Sequence, residues 1–233
     1  MKTVGIIGGL GPESTVEYYR LIIQVCREEK PDGSYPPIII NSIDLKSMLD
    51  LVESNDWPGV AQNLVAALQQ LAKAGADFGL ISANTPHIVF DEVQRRSPIP
   101  LISIVEATCD TAKGLGLKRA GLLGTRFTMQ ARFYPEVFSR AGIEIVLPEQ
   151  DDQNYIHEHY LGELIKGVFL PQTRDELLGI VDRMKKRNDI GGLILGGTEL
   201  PLILTDSSAV GIPFLDTTRI HVRAIVNRML SPE

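Results

Sequence analysis

Short runs of β-branched and aliphatic residues alternate with amphipathic stretches along the whole chain, and no other feature constrains the fold as strongly. Such runs suit strands buried on both faces, while the stretches between them are long enough to form crossover helices. The pattern predicts βαβ units and parallel sheets, an α/β protein. Expected strands are 3–7, 37–41, 78–82, 101–103, 119–123, 144–147, 192–195 and 214–215. Between them, Val16, Tyr19, Ile22, Ile23 and Cys26 recur at helical spacing over 14–28, as do Leu64, Ala67, Leu68 and Leu71 over 60–73. A closing helix is expected over 217–230.

The 233 residues leave one large domain or two small ones open, against a soft prior of about 150 residues per domain. An internal repeat decides the question. VGIIGGL matches AGLLGTR, pairing Gly5 with Gly121 and Gly8 with Gly124 at an offset of 116. FGLISANT matches GGLILGGT, placing Ala83 over Gly197 at an offset of 114, and IPLIS matches IPFLD, placing Ile99 over Ile212 at 113. Three collinear matches at nearly constant offset indicate two similar α/β lobes. The last strand and the closing helix fit either lobe. Taken with the first, they divide the chain into 1–105 plus 212–233 and 106–211.

Open parallel sheets bind ligands beyond the carboxyl ends of their strands, so two such lobes facing each other would enclose a cleft lined by the repeated segments. Composition narrows the ligand. The 29 Asp and Glu outweigh 23 Lys and Arg for a formal charge of -6, and no basic run could track a phosphate backbone, so nucleic acid is not the expected partner. No apolar run approaches the length needed to span a bilayer, and the start, MKTVGIIGGLGPE, lacks the form of a secretory signal. The expectation is a cytoplasmic protein with no membrane partner. Cys26 and Cys109 are too few for a disulfide framework or a cysteine zinc site.

GGLGPES resembles a dinucleotide loop, but Ser14 stands where the third glycine would fall, and Glu13 would meet a bound pyrophosphate with like charge. Pro12 and Glu13 otherwise suit a helix start. In ISANTPHIVFDEV a strand ends at Ser82, with Thr85 the expected N-cap and Pro86 the first helical residue. His87 in that first turn is then held neutral by the helix dipole, and serves either as a proton acceptor or as a packed, hydrogen-bonded side chain. LILGGTELP repeats the design with Gly196, Gly197, Thr198 and Glu199, where Thr198 is either a cap or a ligand group. Thr125 and Thr128 carry the same two readings. His157 and His159 are two residues apart, on different faces of a helix, so a metal site is not expected and a solvated face is.

Together these segments resemble the cofactor-independent aspartate/glutamate racemase superfamily: GGLGPESTVEYY, ANTPH, LGTRFTM, YLGELIKG and LGGTELP occur in the family's order across nearly the whole chain. The resemblance implies two similar lobes, a small acidic amino acid or related carboxylate as ligand, no cofactor and a homodimer. It also implies two cysteines that exchange the α-proton on opposite faces of the substrate. Here the matching positions are Ala83 and Gly197. By the same resemblance Gly9, Leu10, Asn84, Thr85, Thr125, Thr128 and Thr198 hold the substrate's polar groups, and Lys166 pairs with a carboxylate. Two functions follow. One is a racemase or isomerase independent of pyridoxal phosphate, working through a non-thiol site, with His87 and Glu199 as the nearest titratable candidates. The alternative is an inactive homologue that binds a small carboxylate or regulates through it.

Overall fold

The computed structural model describes residues 1–30 and 32–231. The chain divides into two compact units, one of residues Met1–Ile104 with the segment from Thr218 onward, the other of Val105–Thr217. Both are α/β, each built on a parallel sheet flanked by helices.

In the first unit, β1 (Val4–Gly8) leads into α1 (Pro12–Glu29), then β2 (Ile38–Ser42), α2 (Leu45–Glu53), α3 (Trp57–Lys73) and β3 (Phe78–Ile81). A 3₁₀ turn (Thr85–Val89) and α4 (Phe90–Arg96) follow. β1 lies at the centre, hydrogen-bonded in parallel to β2 and β3. Alternation along the strands decides what each face meets. Val4, Ile6, Phe78 and Leu80 are buried with Tyr18, Leu21 and Ile22 of α1. Each large aliphatic side chain so buried contributes about 1.5–3 kcal/mol. On the opposite face Gly5 and Gly79 let α3 close in, because a Cβ on Gly5 would stand 3.1 Å from Leu71 and one on Gly79 2.9 Å from Leu68. Asp44 and Asp56 start α2 and α3 by accepting the Ser47 and Gly59 amides.

The second unit begins within α5 (Ile104–Gly114) and continues through β4 (Arg119–Gly124), α6 (Arg126–Gln130), α7 (Phe133–Arg140), β5 (Glu144–Val146) and α8 (Gln150–Gly162). After a 3₁₀ turn (Leu164–Lys166) come α9 (Pro171–Asn188), β6 (Gly192–Gly196), α10 (Leu200–Ile203), a second short 3₁₀ turn (Ser207–Ala209), β7 (Phe214–Asp216) and α11 (Thr217–Leu230). The strand order β5-β4-β6-β7 repeats the order β2-β1-β3 of the first sheet and adds one strand. Leu123, Leu193 and Leu195 share a core with Ile156 and Tyr160 of α8 and Ile180, Val181 and Met184 of α9.

Two boundaries differ from the sequence reading. β7 hydrogen-bonds to β6 in register Leu193↔Phe214, so residues before Thr218 belong with the second sheet. Only α11 returns, where Val222, Ile225, Val226 and Met229 join the core of the first. Residues 232 and 233 lie outside the described residues. The strand expected at 101–103 shrinks to one bridge, Gly79↔Leu101. Pro98 and Pro100 remove amide donors just before it, and α5 takes over at Ile104.

The turn after β1 rests on Gly9, whose φ of +84° is left-handed and whose missing Cβ would lie 2.1 Å from the Ile43 carbonyl oxygen. Gly33 has a similar φ of +81° but faces open space. Gly33→Ala should therefore cost only the dihedral strain, about 1–2 kcal/mol. Gly9→Ala should cost clearly more, because backbone must also move; equal losses in denaturant titrations of the two variants would refute this account.

Candidate functional site

The segments singled out by the repeat sit at corresponding strand ends of the two sheets. In the first unit, β1 and β3 run side by side in register Ile7↔Ile81, which brings the turn at Gly9 and Leu10 next to Ser82, Ala83 and Asn84. Side chains at the start of α1 tie these turns together. The Ser14 hydroxyl donates to the Ser82 carbonyl at 2.8 Å, the Ser82 hydroxyl donates to the Ile7 carbonyl at 2.9 Å, and the Gly9 amide donates to Thr15 Oγ1 at 2.8 Å. Leu10, Ala83 and Asn84 are all buried. Glu13 stands exposed in the first turn of α1.

Asn84, rather than Thr85, is the residue that precedes the helical segment, and it makes no side-chain cap. The segment starts as a five-residue 3₁₀ turn, so the dipole argument for His87 does not apply to a regular helix. Burial takes its place. His87 is 2% exposed, and its pKa is lowered from 6.5 to about 4, chiefly by loss of solvent. Its Nδ1 lies 2.9 Å from the Ala83 carbonyl oxygen, and its Nε2 is 3.3 Å from the Ile104 amide. The carbonyl can only accept and the amide can only donate, so Nδ1 carries the proton and Nε2 is bare. The ring also stacks on Phe90 at 4.9 Å. His87 is thus packed and hydrogen-bonded through both ring nitrogens.

A second buried histidine, absent from the sequence candidates, shares this unit. His221 of α11 donates from Nε2 to the Ile102 carbonyl at 3.0 Å and accepts the Tyr18 hydroxyl at Nδ1 at 2.8 Å. Burial first, then the neighbouring His87, lowers its pKa to about 3. The two rings hold residues 102–104 against the first sheet, in place of the missing strand.

In the second unit, β4 and β6 end side by side at Gly124↔Gly196, which brings Thr125 next to Gly197. Thr125 caps α6: its hydroxyl accepts the Thr128 amide at 3.2 Å, and the two hydroxyls stand 3.3 Å apart. Glu199 is 2% exposed. Its Oε2 accepts the Tyr160 hydroxyl and, at 2.9 Å, the hydroxyl of Thr198. Thr198 therefore serves Glu199 and not a helix cap, and the α10 that follows is a single turn. Tyr160 is buried, and its phenol is pushed well above its ordinary pKa by desolvation and by Glu199. Tyr160 escaped the sequence reading, although it follows Ile156 by four residues on the buried face of α8. A polar-tipped aromatic on an apolar stripe needs a hydrogen-bond partner, and that was the available signal.

Other candidates lie elsewhere. Lys166 is exposed in the 3₁₀ turn after α8. His157 is buried and not on a solvated face, with Nδ1 accepting the Arg126 amide at 3.3 Å, while His159 stacks on Tyr155. Cys26 and Cys109 are buried in α1 and α5, and burial raises both thiols.

Comparison with known proteins finds relatives along nearly the whole chain. A family model described as Asp/Glu/Hydantoin racemase matches residues 7–225. The chain is 24% identical over 231 residues to the broad specificity amino-acid racemase RacX of Bacillus subtilis (strain 168), covering 98% of each. A solved Yersinia pestis structure superimposes with a TM-score of 0.90 at 32% identity, covering 99% of this chain and 100% of that one. The structure of PH1733, an aspartate racemase homologue from Pyrococcus horikoshii OT3, does so with a TM-score of 0.85 at 34% identity and the same coverage.

His87 and His221 generate a pH dependence with a definite sign. Both folded pKa values are depressed, so below the unfolded value of 6.5 the unfolded chain binds protons that the folded chain refuses. Their effect on stability is absent above that value, and stability is lost as pH falls from 6.5 toward 4. Urea midpoints measured from pH 8 to pH 4 should be flat and then fall, with a shallower fall in His221→Gln; an unchanged slope in that variant would contradict the assignment.

Proposed function

The chain belongs to the Asp/Glu/Hydantoin racemase family, and on that premise we propose that it binds a small amino acid or carboxylate at its strand ends without racemising it by paired thiols. One observation carries this reading. At the two positions that the resemblance sets against the family's cysteines, position 83 carries only a methyl group and position 197 carries no side chain, with the Tyr160 ring where a Cβ would stand. Racemisation needs a base on one face of the α-carbon and an acid on the other. His87, with both ring nitrogens engaged and a pKa near 4, supports neither role at neutral pH.

Binding asks less of the site. In the first unit the loop amides after β1 with Asn84 and Thr85, and in the second Thr125, Thr128 and Thr198, offer hydrogen-bonding groups of the kind a carboxylate or amino acid takes, and Lys166 offers a positive charge. A second reading has one observation in its favour. Glu199 is a carboxylate held by two hydroxyls beside Gly197, which suits an isomerase acting on an acidic α-carbon from one side. Either reading carries with it a homodimer in the cytoplasm; among the described residues no helix is long and apolar enough to cross a membrane.

Isothermal calorimetry with L-aspartate and L-glutamate, paired with proton NMR of the same mixtures in D₂O, separates the two readings. Saturable binding with α-proton exchange no faster than in buffer is expected. Exchange that disappears in Glu199→Gln would transfer the case to the one-sided isomerase, and absence of binding to either amino acid would defeat both.

A further inference from the structure

Gly197 has no dihedral reason to be glycine. It is not among the glycines whose φ is left-handed, so an L side chain is compatible with its backbone. What opposes a side chain is a single neighbour. A Cβ at 197 would lie 2.4 Å from Tyr160 Cε2, 2.6 Å from its hydroxyl oxygen and 2.8 Å from Cζ. These three atoms are the far end of one aromatic ring, and that end cannot swing away freely. Tyr160 is packed among Leu123, Ile156 and Leu164 in the second core, and its hydroxyl is committed to Glu199.

We propose that Tyr160 is the specificity-determining residue of this strand end, its phenol taking the place of a side chain at 197 and presenting a phenol–carboxylate pair with Glu199 instead. The inference rests on the reading that the strand ends bind an amino acid or carboxylate, and adds what decides the outcome there. A phenol kept protonated by burial beside a carboxylate donates a hydrogen bond and does not remove a proton from carbon. Tyr160 thus favours recognition over α-proton transfer, and shortening it reopens position 197 to a side chain that reacts.

Two measurements test this. Thermal unfolding of Gly197→Ala, Tyr160→Leu and the double variant forms a cycle, and Leu keeps the apolar packing of α8 while removing the three crowding atoms. Gly197→Ala alone should lower the midpoint by at least about 5 °C, and by less than about 2 °C when added to Tyr160→Leu. Equal shifts in both backgrounds overturn the proposal. Separately, α-proton exchange of L-aspartate in D₂O is followed for Ala83→Cys/Gly197→Cys with and without Tyr160→Leu. Exchange should appear only with Tyr160 shortened; exchange with Tyr160 intact, or none in the triple variant, overturns the proposal. Calorimetry on the unaltered chain keeps the two ideas apart, since loss of amino-acid binding counts against the functional reading while the thermal cycle still reads the steric coupling.

Discussion

Parallel pairing forces every strand of this chain to begin at one edge of its sheet and finish at the other, with a helix carrying the backbone home. All segments that follow strands therefore gather along a single edge of each sheet. There β1 and β3 finish together in one unit, and β4 and β6 finish together in the other. The crowding of turns at such an edge leaves little room for side chains. Gly9 can adopt its left-handed turn against Ile43 only because it lacks a Cβ, and Gly197 can lie against Tyr160 for the same reason. Serine and threonine hydroxyls, short enough to fit, satisfy the carbonyls and amides left over at the edge.

The polar groups buried near these edges act mainly on the protein itself. His87 and His221 both use two ring nitrogens on backbone or phenol partners, and Glu199 receives two hydroxyl protons. Buried polar groups without such partners would each cost about 1–3 kcal/mol, which explains why titratable residues at these positions are so fully engaged. The same engagement bears on chemistry. A neutral histidine whose bare nitrogen faces an amide proton is built as a clamp for residues 102–104.

Much of the architecture was legible in the residues. Central strands buried at every position, period-3.6 burial in the helices and the collinear repeat follow from local geometry, and the shared strand order reproduces the repeat. The placement of Ala83 and Gly197 at corresponding strand ends was legible too. The working details of the candidate site were not. Tyr160 lies 37 residues before Gly197, and nothing in the spacing of α8 reveals which loop its hydroxyl will meet. His221 likewise reaches Tyr18 across 203 positions. The strand at 101–103 failed for the opposite reason: its aliphatic residues promised pairing, but the prolines before it and the start of α5 left one bridge.

By itself the sequence determined the class of fold, the duplication and the small residues Ala83 and Gly197 at the repeated strand ends, because strand propensity, periodicity and residue identity are local properties. Tertiary structure alone decided that β7 pairs within the second sheet while α11 packs on the first, that His87 is neutral through burial, and that glycine at 197 is matched by a tyrosine from another helix. Those outcomes depend on which surfaces exclude water and which atoms claim the same volume. Both are properties of packing between segments distant in the chain, and no local pattern encodes them.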